Sequence, residues 1–106
     1  MDRIEQAIQQ LYPSLNHTEC AAWLEWALRQ SEYSLFTVRD AACVVKVYDS
    51  IDPPWQRMAL EVVWCGIGRD AVRALHRGMD WARLKGATLF GYSLQHDLST
   101  TRWRKL

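Results

Sequence analysis

Phenylalanine is nearly missing from this chain, with two residues in 106. Glycine and proline are also few, five and three, and no linker, low-complexity segment or internal repeat divides the sequence. No run approaches the roughly 18 consecutive apolar residues that spanning a bilayer requires. Met1 to Gln10 carries Asp2 and Glu5 among spaced apolar residues, rather than a basic stretch followed by an apolar block. These absences argue against a membrane span or membrane partner and against an export signal, so a cytoplasmic protein is expected. Cysteine is sparse as well: Cys20, Cys43 and Cys65 are odd in number, widely spaced, form no CxxC and have no histidine pair at zinc spacing. Free thiols in a reducing compartment, and no metal, are the expectation.

What is present in quantity is tryptophan, six residues, at positions 23, 26, 55, 64, 81 and 103. With a hydrophobic share of 49% and 24% charged residues, this is the balance of one globular domain spanning residues 1–106, and so much aromatic bulk excludes disorder. The formal net charge of +1 hides an asymmetry. Residues 1–53 hold four basic and eight acidic side chains, whereas residues 54–106 hold nine basic and four acidic. An anionic ligand, a phosphate-bearing cofactor or a nucleic acid, would go to the second half, although two solvated faces would give the same sums.

Apolar spacing at Ile4, Ala7, Ile8, Leu11 and Tyr12 predicts a helix that opens with Asp2 and Glu5 as a capping-box-like pair and stops at Pro13. A second helix starts around Asn16 to Glu19 and runs to about Gln30 on Cys20, Trp23, Leu24, Ala27 and Leu28. The period then changes to two. Leu35 to Arg39 and Ala42 to Tyr48 predict a hairpin turning at Asp40 and Ala41, and Arg57 to Cys65 a third strand after the break at Pro53 and Pro54. A third helix follows Gly66-Ile67-Gly68, with Ala71, Val72, Leu75, Gly78, Met79 and Ala82 facing inward and Gly86 as its C-terminal cap. Ala87 to Leu94 reads as a fourth strand. The intervening helix makes a crossover, which places the third and fourth strands parallel and adjacent. The basic tail, His96 to Leu106, reads as at most one frayed helix. The fold class is thus α/β (α+β) with a mixed sheet, in the order α-α-β-β-β-α-β.

The most informative stretch is Glu61-Val62-Val63-Trp64-Cys65-Gly66-Ile67-Gly68-Arg69-Asp70. A strand that passes through glycines into a helix presents backbone N–H groups and the positive end of the helix dipole to an anion, and Arg69 and Arg73, one turn apart, add charge. Two glycines also serve as a plain tight turn. The order of elements, the strand Ala59 to Cys65 and the ending Gly78-Met79-Asp80-Trp81-Ala82-Arg83-Leu84-Lys85-Gly86-Ala87 together resemble the core of a GNAT-type N-acetyltransferase, most of all short, divergent members encoded by bacteriophages. The resemblance covers Leu35 to Leu94.

It implies acetyl-CoA held between the third and fourth strands, with Cys65, Gly66, Ile67, Gly68, Arg69, Asp70 and Arg73 as cofactor-binding residues. It also implies Glu61 as the general base that deprotonates an amine before attack on a thioester; the alternative for Glu61 is an outward-facing strand residue. Departures from the family are Val63 where its phosphate loop carries a basic or amide residue, a short loop, and a chain that stops soon after the fourth strand, which marks the core as C-terminally truncated. Tyr48 and Tyr92 lie near the region where the family places a proton donor, but neither matches its motif.

A second reading is a non-catalytic GNAT-fold protein of the phage-encoded kind that binds another protein as an inhibitor or assembly component. A truncated sheet would expose the edge of the last strand, so homodimerisation through that edge is expected. Trp23, Trp64 and Trp81 fall where one core can take them; Trp26, Trp55 and Trp103 do not and are candidate interface anchors. The tail Thr101-Arg102-Trp103-Arg104-Lys105 interleaves an aromatic ring with cations, as a nucleic-acid or protein-docking segment would.

Overall fold

A computed structural model describes residues 3–50, 56–94 and 97–106. The first helix, α1 (Arg3–Leu11), buries Ile4 and Ile8; the expected Asp2 cap lies outside the described residues. In α2 (His17–Arg29) the capping is explicit: the Glu19 N–H donates to Asn16 Oδ1 at 2.9 Å, and the Asn16 N–H donates back to Glu19 Oε1 at 3.1 Å. Two otherwise orphaned donors are satisfied by two side chains three residues apart, which starts the helix where the sequence expects it.

Three strands follow, β1 (Tyr33–Val38), β2 (Ala41–Asp49) and β3 (Arg57–Cys65), paired antiparallel in that order. The hairpin turns on Arg39 and Asp40, one residue earlier than expected, with Arg39 at φ +54°. The Pro53–Pro54 break lies outside the described residues. Helix α3 (Gly68–Leu84) then crosses to β4 (Leu89–Leu94), which pairs parallel with β3 as the crossover expects. Its end is a Schellman cap: Gly86 takes φ +88°, its N–H donates to the Arg83 carbonyl, and the Ala87 N–H reaches back to Ala82.

The tail differs from the sequence expectation. It is a strand, β5 (Asp97–Lys105), antiparallel to β4 with Leu89 opposite Lys105 and Tyr92 opposite Arg102. The order is therefore α-α-β-β-β-α-β-β, an α+β fold of three helices and a five-stranded mixed sheet in which β1 to β5 are neighbours in sequence order. β5 already occupies the β4 edge, so that edge is closed to the expected homodimer. A helical period was a poor guide because β5 lies at the sheet edge, where the side chains of residues 100–105 are exposed and show no apolar alternation.

Helices cover both faces of the sheet. On one side α3 packs Ala71, Ala74, Leu75, Met79 and Ala82 against Cys43, Val45, Val47, Ala59 and Phe90. Gly78 lets the helix approach, since a Cβ there would lie 2.6 Å from Val45 Cγ2. Val72, expected inside, is 47% exposed, and Ala74 takes its place. On the other side α1 lies on β3 and α2 on β1, over Ala42, Val44, Val63 and Cys65. The three inward tryptophans therefore divide between two cores rather than sharing one: Trp64 and Trp81 on the α3 side, Trp23 on the other. Trp26 and Trp103 are exposed, and Trp55 lies outside the described residues. Among the described residues no helix is long and apolar enough to cross a membrane.

Candidate functional site

Strands β3 and β4 pair only from Met58–Leu89 to Leu60–Gly91. Beyond Leu60 they part. The parting begins at a bulge: Val44 faces Val63 and Val45 faces Glu61, so Val62 is an extra residue on β3. Across it the buried side of the strand changes, from Ala59 in the α3 core to Val63 and Cys65 in the α1–α2 core. A bulge twists its strand and re-aims the adjacent side chain, and the side chain at this change-over is Glu61.

Glu61 is 8% exposed, the one buried charged side chain among the described residues; it is not an outward-facing strand residue. Its Oε2 accepts the Ser93 backbone N–H and the Ser93 hydroxyl, each at 3.4 Å. Both are long bonds and therefore weak. Burial wins over them and raises the carboxyl from 4.5 to about 7. A carboxyl poised near neutrality is half ionised there and serves equally to take up or release a proton.

Glu61 opens into a cleft of about 200 Å³ bounded by Val63, Cys65 and Gly66 on the strand side, by Ser93 on β4 and by Ala7, Gln10 and Leu11 on α1. Ser93 and the α1 wall were not legible in the sequence. Ser93 carries no motif, and its place depends on how far β4 runs before it leaves β3. Trp64 closes the end of the strand: its Nε1–H donates to the Ala71 carbonyl at 2.7 Å, tying β3 to the first turn of α3, and its ring meets Tyr92 edge-on at 6.4 Å. Tyr92 packs toward the α3 core and does not line the cleft. Tyr48 does not line it either.

Of the seven expected cofactor-binding residues, the structure brings Cys65 and Gly66 into the cleft with Glu61 and places Ile67 at the N-cap of α3 and Gly68, Arg69, Asp70 and Arg73 on that helix. Gly66 takes φ +112°, and a Cβ there would lie 2.5 Å from that of Ala41, so the turn runs directly over the start of β2. Gly68 takes φ +64° with open space around it. Ile67, the N-cap residue of α3, is 81% exposed and gives no side-chain cap, leaving the first N–H groups of the helix without that partner. Gly68, Arg69, Val72, Arg73, His76 and Arg77, with Asp80 at its far end, line a broad, shallow groove of about 720 Å³ along the outside of α3.

Asp70 puts a carboxylate into this positive region. Arg39 meets it at 3.4 Å and Arg73 at 3.8 Å, while the exposed Arg69 takes part in none of the described ion pairs. Buried thiols make no second site: burial raises Cys20 and Cys43 above their ordinary values, which disfavours the nucleophilic thiolate. Among the described residues no three His, Cys, Asp or Glu side chains gather as a metal-holding group. No family model, curated protein or solved structure matches this chain, and what the site does rests on its own residues.

Proposed function

We propose that this chain is a GNAT-like, acetyl-CoA-dependent N-acetyltransferase or a divergent remnant of one. The observation that carries the reading is a buried carboxyl, raised to about 7, at the point where two parallel strands separate beside a glycine turn into a helix. The residues fit such a donor. The cleft of about 200 Å³ beside the parting of β3 and β4 would take the acyl end of such a donor, and the open space at Gly68 with the uncapped start of α3 suits a pyrophosphate that Arg69 and Arg73 would flank. Acetyl-CoA would supply an activated acyl group. Glu61 would accept a proton from an amine entering the cleft, α1 would keep water from that carboxyl, and Ser93 would hold it in place.

Thermal unfolding with and without millimolar acetyl-CoA tests the first step, because a ligand bound only by the folded state stabilises it. A saturable rise in Tm is expected; no rise rejects the enzyme reading. Where binding is seen, Glu61→Gln should keep the rise and lose turnover of amine acceptors, and unchanged turnover removes Glu61 from this role. The second reading, a non-catalytic GNAT-fold protein that binds another protein, draws on Trp26, which is 51% exposed with its ring edge-on to Tyr33. It expects no acetyl-CoA effect.

A further inference from the structure

Among the described residues, the helices on the α1–α2 side cover Val44 but leave the sheet beyond it half-buried rather than enclosed. On β2, Val44 lies in the core beneath them, but Lys46 and Tyr48, two and four residues on and facing the same way, belong to neither core. A single row crosses all five strands at this level: Tyr33, Lys46, Leu60, Gly91 and Trp103 are successive cross-strand partners. At one end the Lys46 ammonium sits 5.5 Å from the Tyr33 ring centroid. At the other, Trp103 lies against the sheet because Gly91 has no side chain: a Cβ there would come within 2.9 Å of the indole and 3.0 Å of Leu60. The indole is nonetheless 46% exposed, so one side of the ring rests on the sheet while much of the rest meets solvent.

Lys105, two residues on and on the same face, is exposed, and Arg102 and Arg104 alternate with it along the outer edge strand. No acidic residue belongs to the row. A second copy of the chain is a poor occupant, because a two-fold contact would bring this cationic edge against itself. An anionic partner with flat faces suits it. We infer that this row, from Lys46 on β2 to Trp103 on β5, with Trp103 as a stacking platform and Lys46 and the neighbouring Lys105 as phosphate contacts, binds single-stranded nucleic acid. Strands about 4.8 Å apart make the row from β1 to β5 roughly 19 Å long, enough for two or three splayed bases. Rings take any base by its π-face, so the binding is expected to be sequence-tolerant and strongly dependent on salt.

The test is fluorescence anisotropy with a labelled oligonucleotide of about 12 nucleotides, within the range one such surface covers, against polyglutamate of matching charge. Binding of the oligonucleotide alone is expected, weakening as salt rises. Trp103→Ala should weaken it about tenfold and Trp103→Phe much less, since a smaller ring still stacks. Lys105→Gln should lower the slope of log affinity against log salt by about one. Equal binding of polyglutamate would point to an acidic protein partner and overturn the inference, as would absence of oligonucleotide binding at low salt or full affinity in Trp103→Ala. Should Trp103→Ala prove unfolded at room temperature, Lys46→Glu decides instead: retained affinity rejects this surface.

Discussion

The carboxylate of Glu61 and the backbone N–H and hydroxyl of Ser93 meet across the gap where β3 and β4 separate, at 3.4 Å each. Both contacts oppose the effect of burial on the carboxyl, and they do not cancel it. Stability must therefore carry a signature of this one group.

The sign follows from its raised value. Below about 4.5 the group is protonated in both folded and unfolded chains and contributes nothing to pH dependence; between 4.5 and about 7 the unfolded chain releases the proton first, so stability falls as pH rises. Above 7 the full penalty, about 3 kcal/mol, is in place. Glu61→Gln removes it. Urea unfolding should show the variant more stable than the parent at pH 8 and nearly equal at pH 4; equal stability at both would place Glu61 in a solvated setting.

Ser93→Ala removes the hydroxyl and keeps the N–H. The carboxyl then loses one of two weak stabilising partners and should titrate higher than in the parent, with a cost to folding of about 1 kcal/mol or less. Carboxyl titration by NMR with labelled glutamate reads this directly, and a lower value would contradict the geometry.

The two glycines of the turn should respond differently. At Gly66 an added Cβ meets both a positive φ and the Ala41 backbone, 2.7 Å away, so Gly66→Ala should cost about 3 kcal/mol or more. At Gly68 only the backbone conformation is strained, and Gly68→Ala should cost about 1 kcal/mol. Thermal melts of the pair, with Gly68 as damaging as Gly66, would refute the close approach to Ala41.

Trp64→Phe retains an aromatic ring and deletes the donor to Ala71. A loss of about 1 to 2 kcal/mol is expected, combining the hydrogen bond and the smaller ring. Hydrogen exchange should show faster opening at the start of α3 than at its end; uniform loss would mean that the bond does not anchor that turn.

Much of this molecule is legible residue by residue. Asn16 and Glu19 announce their capping box in sequence, Gly86 its left-handed cap, and the spacing of Ala71, Leu75, Gly78, Met79 and Ala82 the inner face of α3, because each depends on neighbours within one or two turns. Glu61 and the glycine turn are visible for the same reason. Val72 escapes the period because α3 meets the sheet along a stripe narrow enough to leave it outside.

Other features depend on contacts between distant parts of the chain. β5 shows no strand period, with Leu98 and Trp103 as its only apolar side chains, because an edge strand is held by backbone pairing to β4, and pairing leaves no hydrophobic pattern. Trp23 and Trp64 read as members of one core until the sheet comes between them. Ser93 joins Glu61 only because β4 departs from β3 two residues earlier, and the Val62 bulge that aims Glu61 exists only relative to β2. Local backbone preference and hydrophobic period are written along the chain, and they determined the helices, the turn and the acid. Register, bulge and strand separation are relations between segments about 16 (Val45 and Glu61) to 32 residues apart (Glu61 and Ser93), and it was the tertiary structure that turned an acid on a strand into a buried, half-ionised carboxyl in a cleft.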